Sequence, residues 1–209
     1  MKVVKHIEPI KFSIIMPSLL SDYPGAANNR MEKIKRAVDS VLSQTFQNFE
    51  LIIISDGCDL TEWVIKKNYD SEKIKLFRVE RKGLFDNSAR NFGIENAKGE
   101  FIIYLDNDDF YGERHLEIFN ENLTGFDWVW AKDWGYYNGK WYERIGDIEQ
   151  YAHCGTSNIC HKRNLPVRWG KPGYGHDYYF IQDLLLFDNY KQIPAAQYYV
   201  CHINGSYEL

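Results

Sequence analysis

Apolar positions follow two rhythms along this chain, and the change comes near Gly125. Before it, short unbroken apolar runs alternate with amphipathic stretches, the pattern of strand–helix–strand units around a parallel sheet. Residues 12–16 (FSIIM) read as a first buried strand, 51–55 (LIIIS) as a second, 75–79 as a third and 101–105 (FIIYL) as a fourth. Between the first two, residues 29–43 place Ile34, Ala37, Val38, Val41 and Leu42 on one helical face, with Lys33, Lys35, Arg36 and Asp39 opposite. Asp59-Leu60-Thr61-Glu62 predicts a capping box opening a second helix, and residues 86–97 predict a third that Gly99 ends. After Gly125 the helical rhythm weakens. Tyr136-Tyr137-Asn138-Gly139-Lys140-Trp141 carries the Asn-Gly signal of a tight hairpin, residues 176–186 read as a helix, and 197–201 as a last strand.

These elements predict an α/β fold: one domain over residues 1–209 with an open, mostly parallel sheet, helices on both faces and an added antiparallel hairpin region in the C-terminal half. The first half, residues 12–110, looks like a nucleotide platform, and the second, residues 125–209, like a substrate-facing wall, which the resemblance described below would make the acceptor-binding half. A length of 209 residues suits one core, and no Pro-, Gly- or Ser-rich linker or repeat divides it. The net charge of −4 gives no general attraction for polyanions and argues against nucleic acid as a partner. No segment reaches the roughly 20 apolar residues of a membrane span, and the first residues lack a signal-peptide run, so a cytoplasmic protein is expected. Cys58, Cys154, Cys160 and Cys201 are then expected as reduced thiols. His153-Cys154, Cys160-His161 and Cys201-His202 fit no standard zinc spacing. The aromatic content of 16% is read mainly as core filling.

In open α/β sheets ligands bind beyond the carboxyl ends of the strands, so the polar groups following each apolar run are the candidates. They are Pro17-Ser18, Ser55-Asp56-Gly57 and Asp106-Asn107-Asp108-Asp109. Three carboxylates in four residues repel one another, and a hard divalent cation, Mn²⁺ or Mg²⁺, neutralises such a cluster. A metal-dependent phosphatase or nucleotidyltransferase would also place acids at strand ends. However, the first strand ends without an acid pair, and no Gly-x-x-x-x-Gly-Lys loop occurs.

Several motifs in order carry a resemblance. They are Asn29-Arg30, then residues 37–46 (AVDSVLSQTF), 49–57 (FELIIISDG), 89–94 (ARNFGI), 97–100 (AKGE) and 105–109 (LDNDD), followed by 175–180 (GHDYYF) and 199–206 (YVCHINGS). Over residues 12–206 the chain resembles the family 2 glycosyltransferases of GT-A fold. The resemblance implies a nucleotide-sugar donor, UDP-linked, and a hydroxyl acceptor such as a glycan; a modified nucleobase is left open as acceptor. It implies that Asp56 accepts a hydrogen bond from the uracil imide N–H, that Arg90 lies near the nucleotide, and that Pro17, Ser18 and Asn107 border the nucleotide-sugar. Asp106 would touch ribose or cation and Asp108 would be the direct metal ligand, with His202 as a further one. Asp109 is expected to start a helix. Asp177 would be the general base of an inverting transfer, in a Gly-His-Asp context where the family usually has Glu-Asp, and Gly155-Thr156-Ser157-Asn158 resembles the family's acceptor loop. The chain departs from the family in Ser18-Leu19-Leu20 after the first strand. It also lacks the Gln-x-x-Arg-Trp motif of polymerising members, which implies a single transfer. A binding module that keeps the donor pocket without transfer is the remaining alternative.

Overall fold

The sheet is built outward from β1 (Phe12–Ser18), a strand buried along almost its whole length because it has neighbours on both edges and helices on both faces. The computed structural model describes residues 9–201 except 24, 25, 27, 84, 85, 145, 174 and 195. In chain order β1 is followed by α1 (Arg30–Leu42), β2 (Phe49–Asp56), α2 (Asp59–Asn68), β3 (Ile74–Val79), α3 (Ser88–Asn96) and β4 (Phe101–Tyr104). Then come β5 (Phe110–Tyr111), α4 (His115–Asn122), β6 (Trp128–Trp130), the hairpin β7 (Trp134–Tyr137) and β8 (Lys140–Glu143), and a single 3₁₀ turn, Thr156–Asn158. β9 (Ile159–Lys162), α5 (His176–Leu184), β10 (Tyr190–Gln192) and β11 (Tyr198–Val200) complete the order.

Seven strands form the main sheet in the order β10-β6-β9-β4-β1-β2-β3, with β9 running against its neighbours β4 and β6. A second sheet, β5-β11-β7-β8, stands beside it. The two-residue period sorts the apolar runs onto two cores. Ile14, Met16, Leu51 and Ile53 pack with Ile34 and Val38 of α1, Val64 of α2 and Phe119 of α4. Ile15, Ile52 and Ile54 point the other way, to Ile94 of α3 and Phe180 and Leu184 of α5. The expected α/β class, with helices on both faces and added antiparallel strands, is the observed one. Each fully buried aliphatic side chain adds about 1.5–3 kcal/mol, so two-sided burial of β1 and β2 anchors the strands whose ends carry polar groups.

Four local expectations are corrected. Asp59 does not cap α2. The cap position is Cys58, held by Ser55, whose Oγ accepts from Cys58 N at 3.1 Å and donates to Cys58 O at 2.8 Å; Asp59 and Glu62 instead bind Arg78. Helix α3 ends at Asn96 with extended Ala97, before Gly99. Gly99 is there because β1 passes too close for a side chain: a Cβ would lie 2.5 Å from Ser13 N. Asp109 starts no helix. It precedes β5, buried, and accepts Cys201 N at 2.7 Å on Oδ1. Lys33, expected on the outer face of α1, is buried. The hairpin forms as predicted, with Asn138 (φ 48°) and Gly139 (φ 77°) both left-handed, the geometry that suits two-residue turns between twisted strands. Helix α4 and the short strands β6, β9 and β10 had no individual sequence signal. All four cysteines are free and buried.

Candidate functional site

The chain runs through β1, β2 and β3 in one direction across the sheet and returns to lay β4 on the other side of β1. At such a reversal the loops after the two central strands part and leave a crevice. A cavity of about 740 Å³ opens there, and Pro17, Ser18, Asp56, Arg90 and the turn from Asp106 to Asp109 all line it. From the C-terminal half, Thr156, His176 and Asp177 close its other side. Of the candidate site residues His202 lies outside the described residues, as does the end of its motif, residues 203–206.

The acidic turn is held at every position. Asp106 N donates to Tyr198 Oη at 3.0 Å. The Asp106 carboxylate accepts Arg90 Nη2 on Oδ1 at 3.0 Å and Thr156 Oγ1 on Oδ2 at 3.1 Å. Asn107 Nδ2 donates to Ser18 Oγ at 3.0 Å, and Ser18 Oγ lies 3.0 Å from Thr61 Oγ1, so these side chains brace the turn against β1 and α2. Arg36 Nη2 donates to the Asp108 carbonyl and stacks its guanidinium over Phe110. Asp108 borders the cavity.

Arg90 points inward, with its guanidinium 5.1 Å from the Trp169 ring centre and its Nε buried without a hydrogen-bond partner. Asp177 opens α5, where a carboxylate is favoured by the helix N-terminus. Burial pushes its pKa up, but hydrogen bonding and charge from His176, the Arg90 guanidinium and the Thr156 amide outweigh that and hold it below the usual aspartate value. It is therefore ionised at neutral pH. Its Oδ1 lies 3.4 Å from His176 Nε2. Asp56, ending β2, is shifted the other way: burial raises it, Arg81 draws it back and Asp86 pushes it up again, with a net rise.

Three groups escaped the sequence reading. Thr156 touches both acids, and only the likeness of its loop to an acceptor loop hinted at it. Asp133 is buried and takes Nε and Nη2 of the cavity residue Arg144 as well as Ser157 Oγ. Lys33 lines the wall from α1. The Cys–His pairs make no zinc site among the described residues; His161 uses both ring nitrogens, on Tyr104 Oη and Lys162 O, each at 2.9 Å. Trp128, Trp130 and Trp169 are core residues, as expected.

A divalent cation is tested by the donor set. Among the described residues no three Asp, Glu, His or Cys side chains gather. Asp106 already accepts Arg90 and Thr156, which leaves it at most a partial donor to a cation, and Asp108 lines the cavity beside it. That suits Mg²⁺ or Mn²⁺, which bind through one or two carboxylates and complete their shells with phosphate oxygens and water.

Comparison with known proteins agrees with this geometry. A family model described as Glycosyl transferase family 2 matches residues 26–172. An uncharacterized glycosyltransferase of Rickettsia conorii is 38% identical over 112 residues, 52% of this chain and 16% of that protein. The amylovoran biosynthesis glycosyltransferase AmsB of Erwinia amylovora is 33% identical over 122 residues, 56% of this chain and 36% of that protein. The chain thus spans well under half the length of these relatives. Among solved structures, S. aureus TarS in complex with UDP superposes with a TM-score of 0.71 at 18% identity, covering 91% of this chain and 60% of that one. The mannosyltransferase PcManGT of Pyrobaculum calidifontis, in complex with GDP-Man and Mn²⁺, gives a TM-score of 0.65 at 13% identity, with 93% and 57% covered. At these identities the likeness is one of fold, the GT-A type.

Proposed function

The chain belongs to glycosyl transferase family 2, and on that premise we propose that it transfers a single sugar, with inversion, from a UDP-linked donor to a hydroxyl acceptor. One observation carries the reading. Thr156 joins the two halves of the site, its hydroxyl donating to Asp106 and its amide lowering the pKa of Asp177, so the acidic turn and the candidate base face one cavity. The complexes of TarS with UDP and UDP-GlcNAc and of PcManGT with GDP-Man and Mn²⁺ support a nucleotide-sugar donor for this fold.

In the proposed reaction Asp177 takes the proton of the acceptor hydroxyl as its oxygen bonds to the anomeric carbon. The bond from that carbon to the diphosphate breaks on the opposite face. A general base so placed contributes roughly 10²–10⁴-fold. Because the Asp177 pKa is low, it is always ready to accept but is a weak base, so the alignment of the hydroxyl matters more than basicity. Asp56 accepts a hydrogen bond from the base, and Arg90, tethered to Asp106, presents the rest of its guanidinium to the phosphates. Asp108, with Asp106 and His202, would hold Mn²⁺ or Mg²⁺. When bound, that cation supplies Lewis-acid stabilisation of the charge growing on the diphosphate.

The test is a donor screen that reads release of UDP, GDP and dTDP from their sugars with Mn²⁺ or Mg²⁺, with a simple phosphate ester as control. Acceptor-dependent release of UDP supports the reading. Hydrolysis of the ester without any nucleotide release points to a phosphatase instead.

A further inference from the structure

Lys33 sits where neither helix physics nor packing favours a lysine. It lies in the fourth position of α1, near the positive end of the helix dipole, where a cation is unfavourable. The residue is also only 4% exposed, with its side chain against the cavity that it lines. A protein carboxylate would normally compensate. Among the described residues the Lys33 ammonium makes no hydrogen bond and no ion pair, although Lys33 lines the same cavity as Asp108 and Val200. The Arg and Lys residues around that cavity differ in this respect. Arg90 is bound to Asp106 and Arg144 to Asp133, whereas Lys33 is held by neither acid.

Lys33 lines the cavity together with Arg90, Asp106 and Asp108, and its ammonium, bound to no protein acid, is left to meet an anion that enters there. We propose that Lys33 is a donor-binding residue that contacts a diphosphate oxygen of the nucleotide and neutralises part of the leaving group's charge. This rests on the nucleotide-sugar reading above and adds a cation that does not depend on metal. A compact ammonium suits a phosphate oxygen as a point charge.

The test compares the full chain with Lys33→Met, which keeps the aliphatic stem and removes the charge, and Lys33→Arg, which keeps the charge. Calorimetry with UDP and with uridine is run in EDTA and in Mn²⁺, and the melting temperature of each free protein is recorded. Expected in Lys33→Met is a loss of roughly 10- to 100-fold in UDP affinity in both buffers, unchanged uridine affinity, and a melting temperature equal to or above that of the parent. Lys33→Arg is expected to keep most of the UDP affinity. Equal UDP affinity in Lys33→Met overturns the inference while leaving the donor reading intact, as does an equal loss for UDP and uridine. A drop in melting temperature with UDP affinity retained assigns Lys33 a purely structural role. If the parent chain binds none of UDP, GDP and dTDP, the donor reading fails and the inference with it.

Discussion

Removing Asp133 tests whether the second wall of the cavity is held by charge. Asp133 is 2% exposed at its side chain and Arg144 34%, and the carboxylate takes Nε and Nη2 of the guanidinium together with Ser157 Oγ. In Asp133→Ala the arginine can turn toward water through the cavity, so the usual ~3–5 kcal/mol for breaking a buried pair is not fully lost. The buried Ser157 hydroxyl loses its charged acceptor, at about 1–3 kcal/mol. Together these give about 2–4 kcal/mol. Arg144→Met is the harsher change, because it strands the carboxylate with Ser157 alone; about 3–5 kcal/mol is expected. The double variant removes both charges and should cost less than the sum by more than about 1.5 kcal/mol. Urea unfolding at neutral pH, followed by tryptophan fluorescence and far-ultraviolet dichroism, reads all four proteins. Additive losses, or a loss under about 1 kcal/mol for Asp133→Ala, would refute the reasoning.

Two further outcomes are expected. Asp177 and Asp56 should titrate on opposite sides of the ordinary aspartate value of about 3.9, Asp177 below and Asp56 above. The sign follows: Asp177 stabilises the fold above the unfolded-state pKa and loses that contribution as pH falls through its lower folded value, whereas Asp56 opposes folding once ionised. Carboxyl carbon resonances assigned with Asp177→Asn and Asp56→Asn check this, and the reverse order contradicts it. In Asp108→Ala, UDP affinity should stop responding to Mn²⁺ and fall by at least roughly 10-fold, the scale of even outer-shell losses at metal sites. Calorimetry showing the parent's affinity and metal response would remove Asp108 from the ligand set.

What the sequence revealed was local. The strands β1, β2 and β4 end where their apolar runs end, so Ser18, Asp56 and Asp106 could be placed at one sheet edge before any fold was known. Long-range pairings were invisible. Asp109 is claimed by Cys201, 92 positions away, and Thr156 reaches Asp106 across 50. Asp133 and Ser157, 24 apart, carry no mark of belonging together. Lys33 misled because helical-face reasoning sorts residues by polarity, and a cation serving a cavity looks identical to one serving solvent. Ser18 and Asn107 line the cavity, yet they spend their side chains on each other. Strands β6 and β9, of three and four residues, are too short for periodicity to register.

In the proposed reaction Asp177 acts after the donor has bound. The direct measurement is UDP-sugar affinity and acceptor-dependent UDP release for the parent and for Asp177→Asn, side by side in Mn²⁺. Equal affinity and a release rate lower by roughly 10²–10⁴-fold are expected for Asp177→Asn. Unchanged release in Asp177→Asn, with the protein folded and the donor bound, would contradict that role.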